Sequence, residues 1–99
     1  MKLKFLCDIA TNMKDADFYI IRVHSEDTVG KPVLGSYDDN KENIGVRVKD
    51  GIRDSSLNPK FLYYWFEAYY SKLPKYNSDG RWHVRTKDIE NIPIAWSNP

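Results

Sequence analysis

The chain has 99 residues, with 15 Lys or Arg against 14 Asp or Glu and a formal net charge of +1. One modest core is all that this length supports, which excludes a dinucleotide domain with a separate substrate domain. The charge balance excludes both a polyanion-like and a generally basic surface, so any charge that binds nucleic acid has to be local.

Cys7 is the only cysteine, which leaves no internal disulfide and suits a reducing compartment. Lys4 and Asp8 break the apolar run that a secretory leader would need. A mean hydropathy of -0.63 and the lack of a long apolar stretch argue against a membrane span. The expectation is a soluble, cytoplasmic protein with no membrane partner.

In chain order, Lys2 to Ala10 places Leu3, Leu6 and Ala10 at helical spacing, which predicts a short helix or an irregular lead-in. Asp17 to Val23 is rich in aromatic and β-branched residues and closes on the polar run His24-Ser25-Glu26-Asp27, which predicts a strand. Residues 24–43 read mostly as loop, because Gly30-Lys31-Pro32 and Gly35 to Asn40 carry turn chemistry, with a short strand at Val33-Leu34. Ile44 to Val48 alternates and predicts a second strand that ends on a turn at Asp50-Gly51.

Asn58-Pro59 opens the clearest element, a helix from Pro59 to Lys72. Asn is an N-cap residue, Pro is pre-set for the first helical position, and Pro74 stops the helix beyond Lys72. Seven of the fourteen aromatic residues fall between Phe61 and Tyr70, more than one buried stripe can hold. Helical spacing assigns Leu62, Trp65, Phe66, Tyr69 and Leu73 to the core and leaves Tyr63, Tyr64 and Tyr70 beside it, partly exposed or against a partner. After a loop at 75–80, Arg81 to Arg85 alternates strictly. Trp82 and Val84 share one face and Arg81, His83 and Arg85 the other, which predicts a strand with a cationic face. Thr86 then caps a short helix over Lys87 to Asn91, ended by Pro93. The fold class is α+β: a small single domain over 1–99, with a short mixed or antiparallel sheet packed against one aromatic-rich helix.

Cys7, His24 and His83 stand apart in sequence, with no spacing that puts two metal ligands on one face. Neither histidine sits in a recognisable nucleophile motif. No metal, cofactor or catalytic residue is expected. Asp17 and Asp39 offer carboxylates for a metal-dependent nuclease, but an acid-x-Lys triplet such as Asp39-Asn40-Lys41 is expected about once by chance in this composition. Between residues 72 and 87, five cations (Lys72, Lys75, Arg81, Arg85 and Lys87) stand against Asp79, a local charge of +4. Cations there can neutralise phosphates, while Tyr76, Asn77 and His83 can reach base edges or stack.

Three stretches, Leu57 to Phe66, Asp79-Gly80 and Val84 to Ile94, carry a resemblance. They look like the target recognition domain of type I restriction-modification specificity subunits. In those domains an Asn-Pro-x-Tyr-Leu-Tyr-Tyr helix start, a glycine-containing loop, a short strand and a Leu-x-x-Ile-Pro-Ile-Pro ending follow one another. Met1 to Ala10 is similar, more loosely, to their Leu-Gly-Asp-Ile-Ala opening. The resemblance implies a stand-alone, shortened, non-catalytic copy of one such domain that binds duplex DNA through the loop at 75–80 and the cationic strand face. Loops would then read bases while basic residues hold phosphates.

The partners implied are duplex DNA and a methyltransferase or restriction subunit. The alternative is a phage or mobile-element protein that mimics this domain and occupies a restriction complex, another protein or a second copy of itself. Tyr63, Tyr64, Tyr70 and Trp96 would then anchor the contact, since Tyr and Trp dominate interface hot spots.

Overall fold

A computed structural model describes residues 1–55 and 57–95. Trp96 lies outside them. The strands are β1 (Cys7–Thr11), β2 (Phe18–Ile20), β3 (Val23–His24), β4 (Pro32–Val33), β5 (Ile44–Val48), β6 (Tyr76–Ser78) and β7 (Arg81–His83). The helices are α1 (Asp50–Ser55), α2 (Pro59–Tyr69) and α3 (Thr86–Glu90). The strands pair antiparallel in two sheets, ordered β1-β5-β2-β4 and β3-β7-β6. The fold is therefore α+β, with antiparallel sheets and one aromatic-rich helix. Among the described residues no helix is long and apolar enough to cross a membrane.

Alternation in β5 sets the layers. Ile44, Val46 and Val48 are buried on one face, aligned with Phe18 and Ile20 of β2 and with Cys7 and Ile9 of β1. Helix α2 closes over this core with Leu62 and Phe66, both buried and one turn apart. The rings of Phe66 and Tyr63 each lie 5.7 Å from that of Phe18. On the opposite face, Gly45 pairs with Tyr19, and residues 12–16 fold back over the pair. The Tyr19 hydroxyl donates to the Met13 carbonyl at 2.8 Å. A Cβ on Gly45 would sit 2.6 Å from the Met13 Cβ, so this crossing requires glycine. Burial pushes the Cys7 thiol up to about 12, with the nearby carboxylates of Asp17 and Asp8 adding to the effect.

The helix start at Asn58-Pro59 is as expected, since the Asn58 side chain accepts from the Lys60 N–H at 2.8 Å. The last turn tightens to a 3₁₀ turn at Tyr70–Lys72 before Leu73. Leu73 is buried as expected, whereas Trp65 and Tyr69 are half-buried and stack on each other at 4.6 Å against the edge of the core.

Several expectations are corrected. Only Leu3–Phe5 turns, as a 3₁₀ turn, and Cys7–Thr11 is a strand, because backbone pairing with β5 overrides the helical spacing. The strand expected at 17–23 is two strands that belong to different sheets. Asp50-Gly51 begins helix α1 instead of forming a turn. The loop expected at 75–80 is a hairpin, β6 and β7 joined by Asp79-Gly80 with both residues at positive φ, the twist a two-residue hairpin needs. Thr86 is the first residue of α3, with Arg85 in the cap position.

Asp17 ties the first sheet to α1. Its carboxylate lies 2.5 Å from the Arg53 guanidinium and accepts from the Val48 N–H at 2.7 Å, while Arg53 Nε donates to the Val48 carbonyl at 3.2 Å. The acid once available for a metal is thus committed to the end of β5. With side chains 29% and 15% exposed, the pair falls between an exposed one (up to about 1 kcal/mol) and a buried one (about 3–5 kcal/mol). Asp17→Ala should cost roughly 2–3 kcal/mol in urea unfolding. A double-mutant cycle with Arg53→Gln should show coupling, and additive losses would remove this assignment.

Candidate nucleic-acid interface

The surface of interest forms where the chain changes sheets. Ile21 still belongs to the first sheet, since its N–H donates to the Lys31 carbonyl and its carbonyl accepts from Gly30. Arg22 belongs to the second, since its carbonyl accepts from the Val84 N–H at 3.0 Å. Its N–H donates to Asn43 Oδ1 at 3.2 Å, and its Nε donates to the Glu42 carbonyl at 2.7 Å. Asn43 Nδ2 in turn donates to Asn40 Oδ1, and Asn40 Nδ2 to the Ser36 carbonyl. Asn40 is the one polar side chain buried among the described residues. It pays for that burial with both of these bonds, and through them the loop carrying Lys41 and Glu42 is fixed beside Arg22.

The hairpin supplies the other wall. Register places Tyr76 opposite His83 and Ser78 opposite Arg81 on one face, with Asn77 opposite Trp82 on the other. The Tyr76 and His83 rings lie 5.6 Å apart. The Arg85 guanidinium sits over the Tyr76 ring at 3.7 Å from its centroid, and the Tyr76 hydroxyl donates to Asp88 at 2.8 Å. Tyr76 therefore holds Arg85 in place, with α3 holding Tyr76.

Between these walls is an open groove of about 500 Å³, lined by the cations Arg22, Lys41 and Arg85, by His83, Val84 and Glu42, and by the hydroxyl residues Thr11 and Thr86. Arg22 and Lys41 escape a sequence scan because they lie in separate segments. Only the sheet change and the Asn40 relay bring them to His83 and Arg85.

The arginines divide into two groups. Arg47 pairs with Asp15 and Asp50, and Arg53 with Asp17. Among the described residues, Arg22, Arg81 and Arg85 make no ion pair, and all three belong to the second sheet or its flanks. Lys87 is exposed on α3. Lys75 is drawn aside by donating to the Glu26 carbonyl at 2.7 Å, and Lys72 lies 5.9 Å from the Tyr69 ring. Alternation puts Arg81 and His83 on one face of the hairpin, the groove brings Arg22 and Lys41 to His83 and Arg85, and Lys87 is exposed next along the chain on α3. Lys72 and Lys75 are engaged elsewhere, and Asn77 points to the Trp82 side. Among the described residues no three of His, Cys, Asp and Glu converge to hold a metal ion.

Of the tyrosines expected at a protein contact, Tyr64 is 61% exposed, whereas Tyr63 packs against Phe18 and Tyr70 is half-buried beside the core. Tyr64 shares an apolar recess of about 230 Å³ with Leu34, Pro59 and Tyr63.

The hydrogen bond to Asp88 raises the Tyr76 phenol above its usual value of 10, opposed by Arg85. The protonated phenol is the donor, so this bond stabilises the fold below pH 10 and is lost as pH rises through the raised value. Observed by NMR of labelled tyrosine, Tyr76 should ionise above 10, and Asp88→Asn should bring it back toward 10. A Tyr76 that titrates at its ordinary value would mean that the Arg85 platform is not held in solution. No family model, curated protein or solved structure matches this chain, and the resemblance to a target recognition domain rests on the sequence motifs.

Proposed function

We propose that the protein is a non-catalytic DNA-binding domain, similar to one target recognition domain of a type I specificity subunit, that engages the phosphates of duplex DNA with the face carrying Arg81, Arg85, Lys87 and Arg22. The observation that carries this reading is the segregation of the arginines. Those with carboxylate partners brace the first sheet, while those without lie together about the second. A guanidinium offers five N–H donors in a planar fork suited to phosphate. The hairpin turn Asp79-Gly80, projecting from the same sheet, is then the segment placed to reach base edges.

Four phosphate contacts imply a log–log salt slope near -3.6, a loss of roughly 150-fold between about 50 and 200 mM salt. Arg81 and Lys87 are exposed and unpaired among the described residues. Replacing both with Ala should flatten the slope by about 1.8 without altering the melting curve. Affinity independent of salt, or an unchanged slope in the double variant, would overturn the phosphate reading.

A second reading is carried by the apolar recess. Leu34 and Tyr64 are 68% and 61% exposed at its rim, and an exposed Tyr is the residue type that anchors protein contacts. On this reading the domain also docks on a protein, as a mimic would. Tyr64→Ala should shift the melting temperature by no more than a few degrees. It should also abolish self-association in sedimentation experiments. Association that survives the change removes this reading, and loss of folding would place Tyr64 in the core.

A further inference from the structure

The groove at the sheet junction differs from the rest of the cationic face. It is an open groove of about 500 Å³, large enough to admit a small ligand, whose sites span about 300–1,000 Å³. Its charges are Arg22, Lys41 and Arg85 against Glu42, an excess of two positive charges. An internal phosphodiester carries one negative charge, whereas a phosphate monoester carries about 1.5 to 2 at pH 7. The excess matches a monoester.

Both guanidiniums are already positioned. Arg22 is held through Nε by the Glu42 carbonyl, and the Arg85 guanidinium sits over the Tyr76 ring. Their forks can therefore meet a ligand with little further loss of side-chain freedom. Lys41 is less fixed, with an exposed pairing to Asp38 at 3.8 Å and the Tyr37 ring 5.8 Å from its ammonium.

We propose that this groove binds the phosphate monoester of a nucleotide, with Arg22 and Arg85 gripping the phosphate and Lys41 completing its neutralisation. Thr11 and Thr86 offer hydroxyls beside it, and the His83 ring offers a surface for the base. The monoester comes either from a free nucleoside 5′-monophosphate or from the phosphorylated 5′ end of a strand. The site shares Arg22 and Arg85 with the face proposed for duplex phosphates, whereas Arg81 and Lys87 lie outside it, so the variant lacking Arg81 and Lys87 separates loss of duplex binding from loss of binding in the groove.

The test is a backbone-amide NMR titration with adenosine 5′-monophosphate and, in parallel, with adenosine. The monophosphate should shift the amides of Arg22, Glu42 and residues 83–86 in a saturable manner, and adenosine should not. Arg22→Gln and Arg85→Gln should each weaken binding by about tenfold or more, the usual effect of losing a charge-assisted contact. Lys4→Gln, which removes the same charge away from the groove, should leave binding unchanged. Arg85 is exposed, so its variant stays folded even if Arg22→Gln loosens the 42–43 loop.

Single strands with and without a 5′-phosphate separate the two sources. Tighter binding of the phosphorylated strand than of the monophosphate assigns the strand end, and weaker or equal binding assigns the free nucleotide. Equal response to adenosine and its monophosphate, shifts confined to residues outside the groove, or wild-type binding by Arg85→Gln would overturn the proposal.

Discussion

Two neighbouring residues divide their backbone hydrogen bonds between two sheets, and the rest of the molecule is arranged around that division. Ile21 extends the pairing of β2 with β4 to Gly30 and Lys31, just before β4, and Arg22 extends the pairing of β3 with β7 to Val84, just after β7. A strand that crosses between sheets in this way makes a corner. A corner leaves a re-entrant space that neither sheet fills. The groove occupies it, and Arg22 lines that groove because its backbone is the crossing point. The long hydrogen-bonded path from Ser36 through Asn40 and Asn43 to Arg22 then brings a remote loop to the same place without any contribution from the hydrophobic core.

A net charge of +1 conceals this arrangement, because the acids and bases are not mixed evenly. Asp15, Asp17 and Asp50 are spent on Arg47 and Arg53, at positions where the sheet hands over to α1. That leaves the second sheet with cations that lack carboxylate partners among the described residues. Screening over about 8 Å at physiological ionic strength means that the distant acids do little to cancel these cations. An anion approaching the second sheet therefore meets a local field that the overall charge does not reveal.

Much of the fold was legible, and what failed did so for physical reasons. Strand β5 and the start of α2 follow from alternation and capping, signals that act within a few residues. The cationic alternation of Arg81, His83 and Arg85 was legible for the same reason. Strand β1 was missed because Leu3, Leu6 and Ala10 mimic a helical period, and only pairing with β5, far along the chain, shows the backbone to be extended. The hairpin at 76–83 did carry a local signal, Asp-Gly between two short runs. The polar residues of β6 masked it. Arg22 and Lys41 left no local signal, because their membership in the groove depends on the sheet crossing and on the buried side chain of Asn40.

The two aromatic groups show why residue type alone is a poor guide to role. In α2, two of the three tyrosines that suggested an interface lie against the core, Tyr63 against Phe18 and Tyr70 beside it, and Tyr64 alone of the three is exposed. Tyr76 suggested a stacking platform for bases, yet one face of its ring is occupied by Arg85 and its hydroxyl by Asp88. A ring used in this way contributes through the side chain it restrains. An arginine free in solvent must give up rotamer entropy on order of 2 kcal/mol when it grips a ligand. Arg85 has surrendered part of that freedom on folding, held by Tyr76 and ultimately by α3. The short helix α3 thus restrains Arg85 from behind the groove, through Asp88, while its first residue, Thr86, lines the groove directly.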